Sequence, residues 1–146
     1  MAKSAVILLV EDGDDDAFLC LRALRDLPIE HRCFHLPDAT QCMQYLRGIE
    51  PYTDREKFPL PNLLILDLKM PTINGFELLD WLQEQSEFRK LPAVVLSGSD
   101  WPKDRERALL SGAKGYYTKP ANGADLGVLI QEIGTRWLNH ASRESR

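Results

Sequence analysis

Three short, uninterrupted apolar runs constrain the fold of this chain most strongly: Ala5–Val10, Leu63–Leu66 and Ala93–Leu96. Runs of this kind suit strands that are buried on both faces, as in a parallel sheet. Cys33–Leu36 and Gly115–Thr118 are weaker strand candidates. Between the runs lie segments with helical spacing. Ala17, Cys20, Leu21 and Leu24 form one stripe, and Ala39, Cys42, Met43 and Leu46 a second. Leu78, Leu79 and Leu82 belong to a third, and Leu126, Leu129, Ile130, Ile133 and Trp137 to another. Arg105–Leu110 carries the faintest helical signal, with Gly112 placed to end it. The order is β-α repeated five times, which implies a doubly wound five-stranded parallel sheet with helices on both faces.

At 146 residues the chain fits one α/β domain, large enough to bury a core without disulfides or structural metal. Its 44% apolar and 27% charged composition is that of a globular protein, not a disordered one. A net charge of −4 argues against a dedicated nucleic-acid binder. No apolar stretch is long enough to span a membrane. The run Ala5–Val10 ends in Glu11-Asp12 with no small-residue cleavage site, so it reads as a strand and not as a signal peptide. Cys20, Cys33 and Cys42 are odd in number and form no C-x-x-C pair, which favours buried thiols in a reducing cytoplasm. Two segments depart from the alternation. Ile49–Pro61 is a long polar loop, and residues 139–146 look like a short polar tail after a domain spanning 1–138.

Open α/β sheets gather their chemistry at the carboxyl ends of the strands. There the chain places Glu11-Asp12 after the first strand, Asp67 after the third, Ser97-Gly98 at the fourth and Lys119-Pro120 after the fifth. Carboxylates brought together repel one another unless a cation sits among them, and an all-oxygen set selects a hard ion such as Mg²⁺. Carboxylate, divalent cation, lysine and hydroxyl together make a phosphoryl site. Asp67 is the nucleophile that forms an acyl phosphate, and Lys119 and Ser97 stabilise the phosphoryl oxygens.

These residues resemble the receiver domain of two-component response regulators, a CheY-like fold. The resemblance is carried by Val10-Glu11-Asp12, by Leu66-Asp67-Leu68-Lys69-Met70-Pro71 with Gly75, by Ser97-Gly98 and by Lys119-Pro120, from about residue 5 to residue 138. The long loop before the third strand and Trp137-Leu138 make the chain similar to single-domain regulators paired with phytochrome-type sensor kinases. The resemblance implies Asp67 as phosphoacceptor, and Mg²⁺ or Mn²⁺ held by Asp12 directly and by Glu11 through water, with the Lys69 backbone carbonyl as a further ligand. It also implies Ser97 as the switch hydroxyl, Lys119 as the phosphoryl-binding lysine, a cis bond before Pro120, and Tyr116 as the switch aromatic. Tyr117 is its neighbour, and alternation puts the two rings on opposite faces, so only one of them serves. The implied function is a stand-alone regulator, not an enzyme acting on a separate substrate. It takes its phosphoryl group from a sensor histidine kinase or a phosphotransfer protein. It then remodels the face of the fourth helix, fifth strand and fifth helix for a partner or a second copy.

Plainer readings take other features. Asp14–Asp16 read as cap and macrodipole charges of the first helix, and Asn122 with Asp125 as a helix cap. His31 and His35 lie on a strand, where they make no metal pair. Trp81 and Trp137 read as core or interface, and Trp101 as a residue at the rim of the site. A haloacid-dehalogenase-like phosphatase would carry a second Asp where Lys69 stands. A flavodoxin-type carrier would need a phosphate loop after the first strand. A degenerate receiver, working as a phosphorylation-independent adaptor, would have lost part of the site.

Overall fold

The computed structural model describes the backbone of residues 4–144 and the side chains of residues 4–138. Five strands, β1 (Ala5–Val10), β2 (His31–Leu36), β3 (Leu63–Leu66), β4 (Ala93–Ser97) and β5 (Gly115–Thr118), alternate with five helices. The helices are α1 (Asp14–Arg25), α2 (Ala39–Arg47), α3 (Gly75–Glu84), α4 (Pro102–Leu110) and α5 (Gly123–Glu144). All strand pairs are parallel, in the order β2-β1-β3-β4-β5. The order reverses between β1 and β3, where a doubly wound sheet opens its ligand crevice.

Strand alternation divides the core in two. Leu8, Val10, Leu64, Leu66 and Val95 pack with α2, α3 and α4 on one face. Ile7, Leu9, Leu63, Ile65 and Val94 pack with α1 and α5 on the other. β1, β3 and β4 are covered on both sides, which is why they read as unbroken apolar runs. β2 is an edge strand with half-exposed positions, and its pattern is correspondingly fainter.

The long loop after α2 is built onto the fold, not left as a polar excursion. Tyr45 is fully buried and donates its hydroxyl to the Pro59 carbonyl at 2.7 Å. Arg55 reaches back to the last carbonyls of α2, donating to Tyr45 O and Leu46 O at 2.8 Å each. Arg32 of β2 donates to the carbonyls of Glu56 and Lys57, so the loop covers the sheet edge. Phe34, Tyr45, Tyr52 and Phe58 form an aromatic cluster beneath it. The helix α5 also extends further than its apolar stripe. Its backbone continues to Glu144, through most of the stretch read as a polar tail, whose side chains lie outside those described.

One close approach fixes the centre of the molecule. The N-terminus of α3 lies directly against the peptide after β3, with the Gly75 N–H donating to Leu68 O at 2.9 Å. A Cβ at Gly75 would stand 2.5 Å from Asp67 O and 2.7 Å from Leu68 Cα, both backbone atoms that cannot step aside. Gly127 in α5 is the contrast, since a Cβ there would meet only Ala23 Cβ at 3.8 Å. Gly75→Ala is therefore expected to cost about 2–4 kcal/mol, whereas Gly127→Ala stays neutral or gains up to ~1 kcal/mol through helix propensity. Urea denaturation of the two variants checks both values.

Candidate functional site

The carboxyl ends of β1, β3, β4 and β5 meet on one rim. Glu11 and Asp12 follow β1, Asp67 follows β3, Ser97 closes β4 and Lys119 follows β5. Glu11, Asp67 and Ser97 are the buried polar residues among those described, at 3%, 7% and 0% exposure. Burial at a strand end distinguishes them from ordinary loop charges. Backbone contacts hold them. The Asp67 N–H donates to Val10 O at 3.1 Å and the Glu11 N–H to Leu36 O at 3.1 Å, each extending the ladder one residue past its strand. The Gly13 N–H donates to Glu11 Oε2 at 3.1 Å, and the Lys69 N–H to Asp67 Oδ1 at 3.3 Å.

The Lys119 ammonium ties the rim together. Nζ lies 2.6 Å from Glu11 Oε1, 2.9 Å from Asp16 Oδ2 and 3.0 Å from Asp67 Oδ2. Burial by itself would pull this ammonium down, but hydrogen bonds to Glu11 and Asp16 and the charge of Asp67 hold it above its ordinary value, so it stays charged. Burial pushes the Glu11 carboxyl up, against the Lys119 and Gly13 hydrogen bonds that pull it down. A divalent cation alongside would oppose that upward push. Carboxylate oxygens of Glu11, Asp12 and Asp67 all lie within 4.8 Å of one another. They are hard donors, two buried and one exposed, and Asp12 faces solvent as an ion keeping several waters requires. This set fits Mg²⁺ or Mn²⁺.

The remaining expected residues are distributed around this centre. Lys69 directs its side chain outward, leaving its backbone beside Asp67. A Cβ at Gly98 would meet nothing within 4 Å, so the approach over β4 is open. Ser97 Oγ accepts the Ser99 N–H at 3.3 Å, and the Ser99 carbonyl accepts the Tyr116 hydroxyl at 2.7 Å. Of the two tyrosines, Tyr116 lies on the same face as α3 and α4. Tyr117 faces α5, where its hydroxyl accepts the Trp137 indole N–H at 2.9 Å. The Tyr116 ring lies inward, at 8% exposure.

Two expectations change. The Lys119–Pro120 bond is trans, and the cis bond among the described residues is Glu50–Pro51. Lys119 is aimed by its ladder bond, N–H to Ser97 O at 2.7 Å, and by the carboxylates it meets, neither of which requires a cis peptide after it. Asp14–Asp16 do not cap α1, whose N-cap is Gly13 without a side-chain bond. Asp14 and Asp15 stay exposed in the first turn, while Asp16 turns in to Lys119, a contact that local spacing masked as a helix-start signal. Asn122 does cap α5, accepting the Asp125 N–H at 2.8 Å. His31 and His35 bond separate carbonyls, those of Ile29 and Glu11. The thiols are free, and burial pushes Cys20 and Cys33 up to about 12 and Cys42 upward as well, which favours the protonated form.

Comparison with known proteins gives a consistent result. A family model described as the response regulator receiver domain matches residues 7–131. Response regulator Rcp1 of Synechocystis is 34% identical over 133 residues, spanning 91% of this chain and 88% of that protein. The probable methanogenesis regulatory protein FilR2 of Methanothrix harundinacea is 34% identical over 133 residues, 91% of this chain and 83% of that protein. Among solved structures, the phosphorylated cyanobacterial phytochrome response regulator RcpA superposes with a TM-score of 0.87 at 30% identity, covering 93% of this chain and 95% of that one. The Mn²⁺-bound form of Rcp1 superposes with a TM-score of 0.83 at 34% identity, covering 92% and 94%.

The acidic set sets an expectation for metal binding. Asp12→Asn weakens Mg²⁺ by about tenfold or more, while Asp14→Asn, on the exposed side of the same turn, changes it little. Because burial raises the Glu11 carboxyl, Mg²⁺ affinity falls as pH drops through a value higher than that of an ordinary glutamate. Calorimetric titration with Mg²⁺ across pH measures both effects.

Proposed function

The chain belongs to the response regulator receiver domain family, and on that premise we propose that Asp67 accepts a phosphoryl group from the phosphohistidine of a sensor kinase or phosphotransfer protein. One observation carries the assignment. Asp67 is a buried carboxylate whose Oδ2 is bonded to an ammonium arriving from a different strand, at the mouth of a hard-oxygen cluster. A phosphoacceptor needs that combination. The aspartate must stay ionised to attack, and fixed positive charge must await the oxygens of the transferred group.

In the proposed reaction an Asp67 oxygen forms a bond to phosphorus while the phosphorus–nitrogen bond to the donor imidazole breaks, and the imidazole leaves with the bonding pair. Glu11, Asp12, Asp67 and the Lys69 carbonyl would hold Mg²⁺ or Mn²⁺, which when bound neutralises charge on the phosphoryl oxygens. Lys119 contributes an N–H and a full charge to the same oxygens. Ser97 contributes its hydroxyl. Gly98 leaves the path to Asp67 clear.

The switch is proposed to run through Ser97. Its Oγ accepts the Ser99 N–H, and Ser99 in turn holds Tyr116 through its carbonyl and Asp104 of α4 through its hydroxyl at 2.6 Å. Moving the Ser97 Oγ toward the phosphoryl group draws the acceptor away from the Ser99 N–H. That loosens the start of α4 together with Tyr116, and the α4-β5-α5 face is remodelled for a partner or for a second copy of the chain. Likeness to the phytochrome response regulator RcpA supports a phytochrome-type kinase as donor, and the three free thiols support a cytoplasmic setting. The proposed role is signalling, not turnover of a separate substrate.

Incubation with acetyl phosphate and Mg²⁺ is expected to add one phosphoryl group to the intact protein. EDTA abolishes the gain, and so does Asp67→Asn. Absence of an adduct from both acetyl phosphate and a phosphorylated phytochrome-type kinase would overturn the assignment.

A further inference from the structure

His35 has no part in the proposed phosphoryl transfer, yet its ring is bonded to the backbone of the acidic pair. Strand pairing sets Leu9 opposite His35 and Val10 opposite Leu36, and the Glu11 N–H donates to Leu36 O at 3.1 Å. Leu36 is the last residue of β2. Past that point the Glu11 carbonyl accepts a side chain, His35 Nε2 at 2.7 Å. A carbonyl can only accept, so that ring nitrogen carries the hydrogen. Glu11 is 3% exposed, and a backbone carbonyl so placed needs a donor.

The bond falls on the peptide that joins Glu11 to Asp12, two of the three carboxylates in the acidic set. Their side chains are held very unequally. The Glu11 carboxylate has Lys119 Nζ on one oxygen at 2.6 Å and the Gly13 N–H on the other at 3.1 Å. Among the described residues, none donates a hydrogen bond to the exposed Asp12 carboxylate. Asp12 is therefore placed by its backbone. The peptide is planar, so the bond that fixes the Glu11 carbonyl also fixes the N–H side, from which Asp12 departs. His31, at the other end of β2, bonds the Ile29 carbonyl and touches none of this.

We infer that His35 is a positioning residue of the metal site. The inference rests on the reading that Glu11, Asp12 and Asp67 take Mg²⁺. The His35 Nε2–H anchors the Glu11–Asp12 peptide and so presents the Asp12 carboxylate to the ion. Without that bond the peptide can turn, and the cation has to order Asp12 as it binds.

The test is calorimetric titration with Mg²⁺ at one fixed pH, beside urea denaturation in EDTA. His35→Val loses the bond because it has no donor, and His35→Asn because it is too short to reach. His35→Gln keeps an amide N–H as far along the side chain as Nε2. His31→Val removes the other histidine of the strand. The Mg²⁺ dissociation constant is expected to rise about three- to tenfold in His35→Val and His35→Asn, the range for loss of one supporting hydrogen bond. His35→Gln and His31→Val are expected to stay within about twofold of wild type. Where His35→Val does not fold, His35→Asn carries the comparison. A merely structural histidine would lower stability in EDTA and leave Mg²⁺ affinity unmoved, and that result overturns the inference. Equal weakening in His35→Gln and His35→Asn overturns it too, since the bond would not be what matters. Wild type that binds no Mg²⁺ overturns the metal site along with the inference.

Discussion

The ammonium of Lys119 allows the rest of this site to exist. Two carboxylates, Glu11 and Asp67, are buried at neighbouring strand ends, and Asp12 and Asp16 stand beside them. Such a group pays a desolvation penalty and a repulsion penalty together, and burial does push Glu11 toward its neutral form. Lys119 offsets both by donating to three of the four from the far side of β4. It can do so because the parallel sheet brings β5 to the same rim as β1 and β3, and because Ser97 and Gly98 at the end of β4 are small enough to pass over.

The same arrangement explains how chemistry at Asp67 reaches a distant surface. Ser99 stands at a junction, with its N–H on Ser97, its carbonyl on Tyr116 and its hydroxyl on Asp104. α4 has no side-chain cap of its own, since its N-cap is the exposed Trp101. The Trp101 N–H instead donates to Ser99 Oγ. Order at the start of α4 therefore depends on a residue two positions from the switch hydroxyl. Gly75 fixes the opposite wall, where α3 lies against the backbone of Asp67 and Leu68.

How much of this was legible in the sequence follows from where each signal originates. β1, β3 and β4 stand out because both faces of the sheet are covered, and the four stripes flanking them follow from helices that bury one side. Asp67, Asp12, Ser97 and Lys119 could be found because the alternation rule places strand ends together. Asp16 could not, because an acid in the first turn of a helix has a sufficient local explanation and its partner lies 103 residues away. The loop over β2 was hidden for a related reason. Arg55 and Tyr45 anchor it through backbone carbonyls, which leave no trace in residue type. The cis bond before Pro120 is a feature that only family likeness suggests, and in the trans geometry found there the strand ladder and the carboxylates direct Lys119.

The central claim is that Lys119 holds together charges that would otherwise need a metal. Thermal unfolding of wild type and Lys119→Met, each in EDTA and in saturating Mg²⁺, tests it most directly. The account predicts that Lys119→Met is less stable than wild type in EDTA by about 3 kcal/mol, because buried Glu11 and Asp67 lose their partner. It also predicts that Mg²⁺ raises the melting temperature of the variant by more than that of wild type. Equal melting temperatures in EDTA, with equal Mg²⁺ responses, would contradict it.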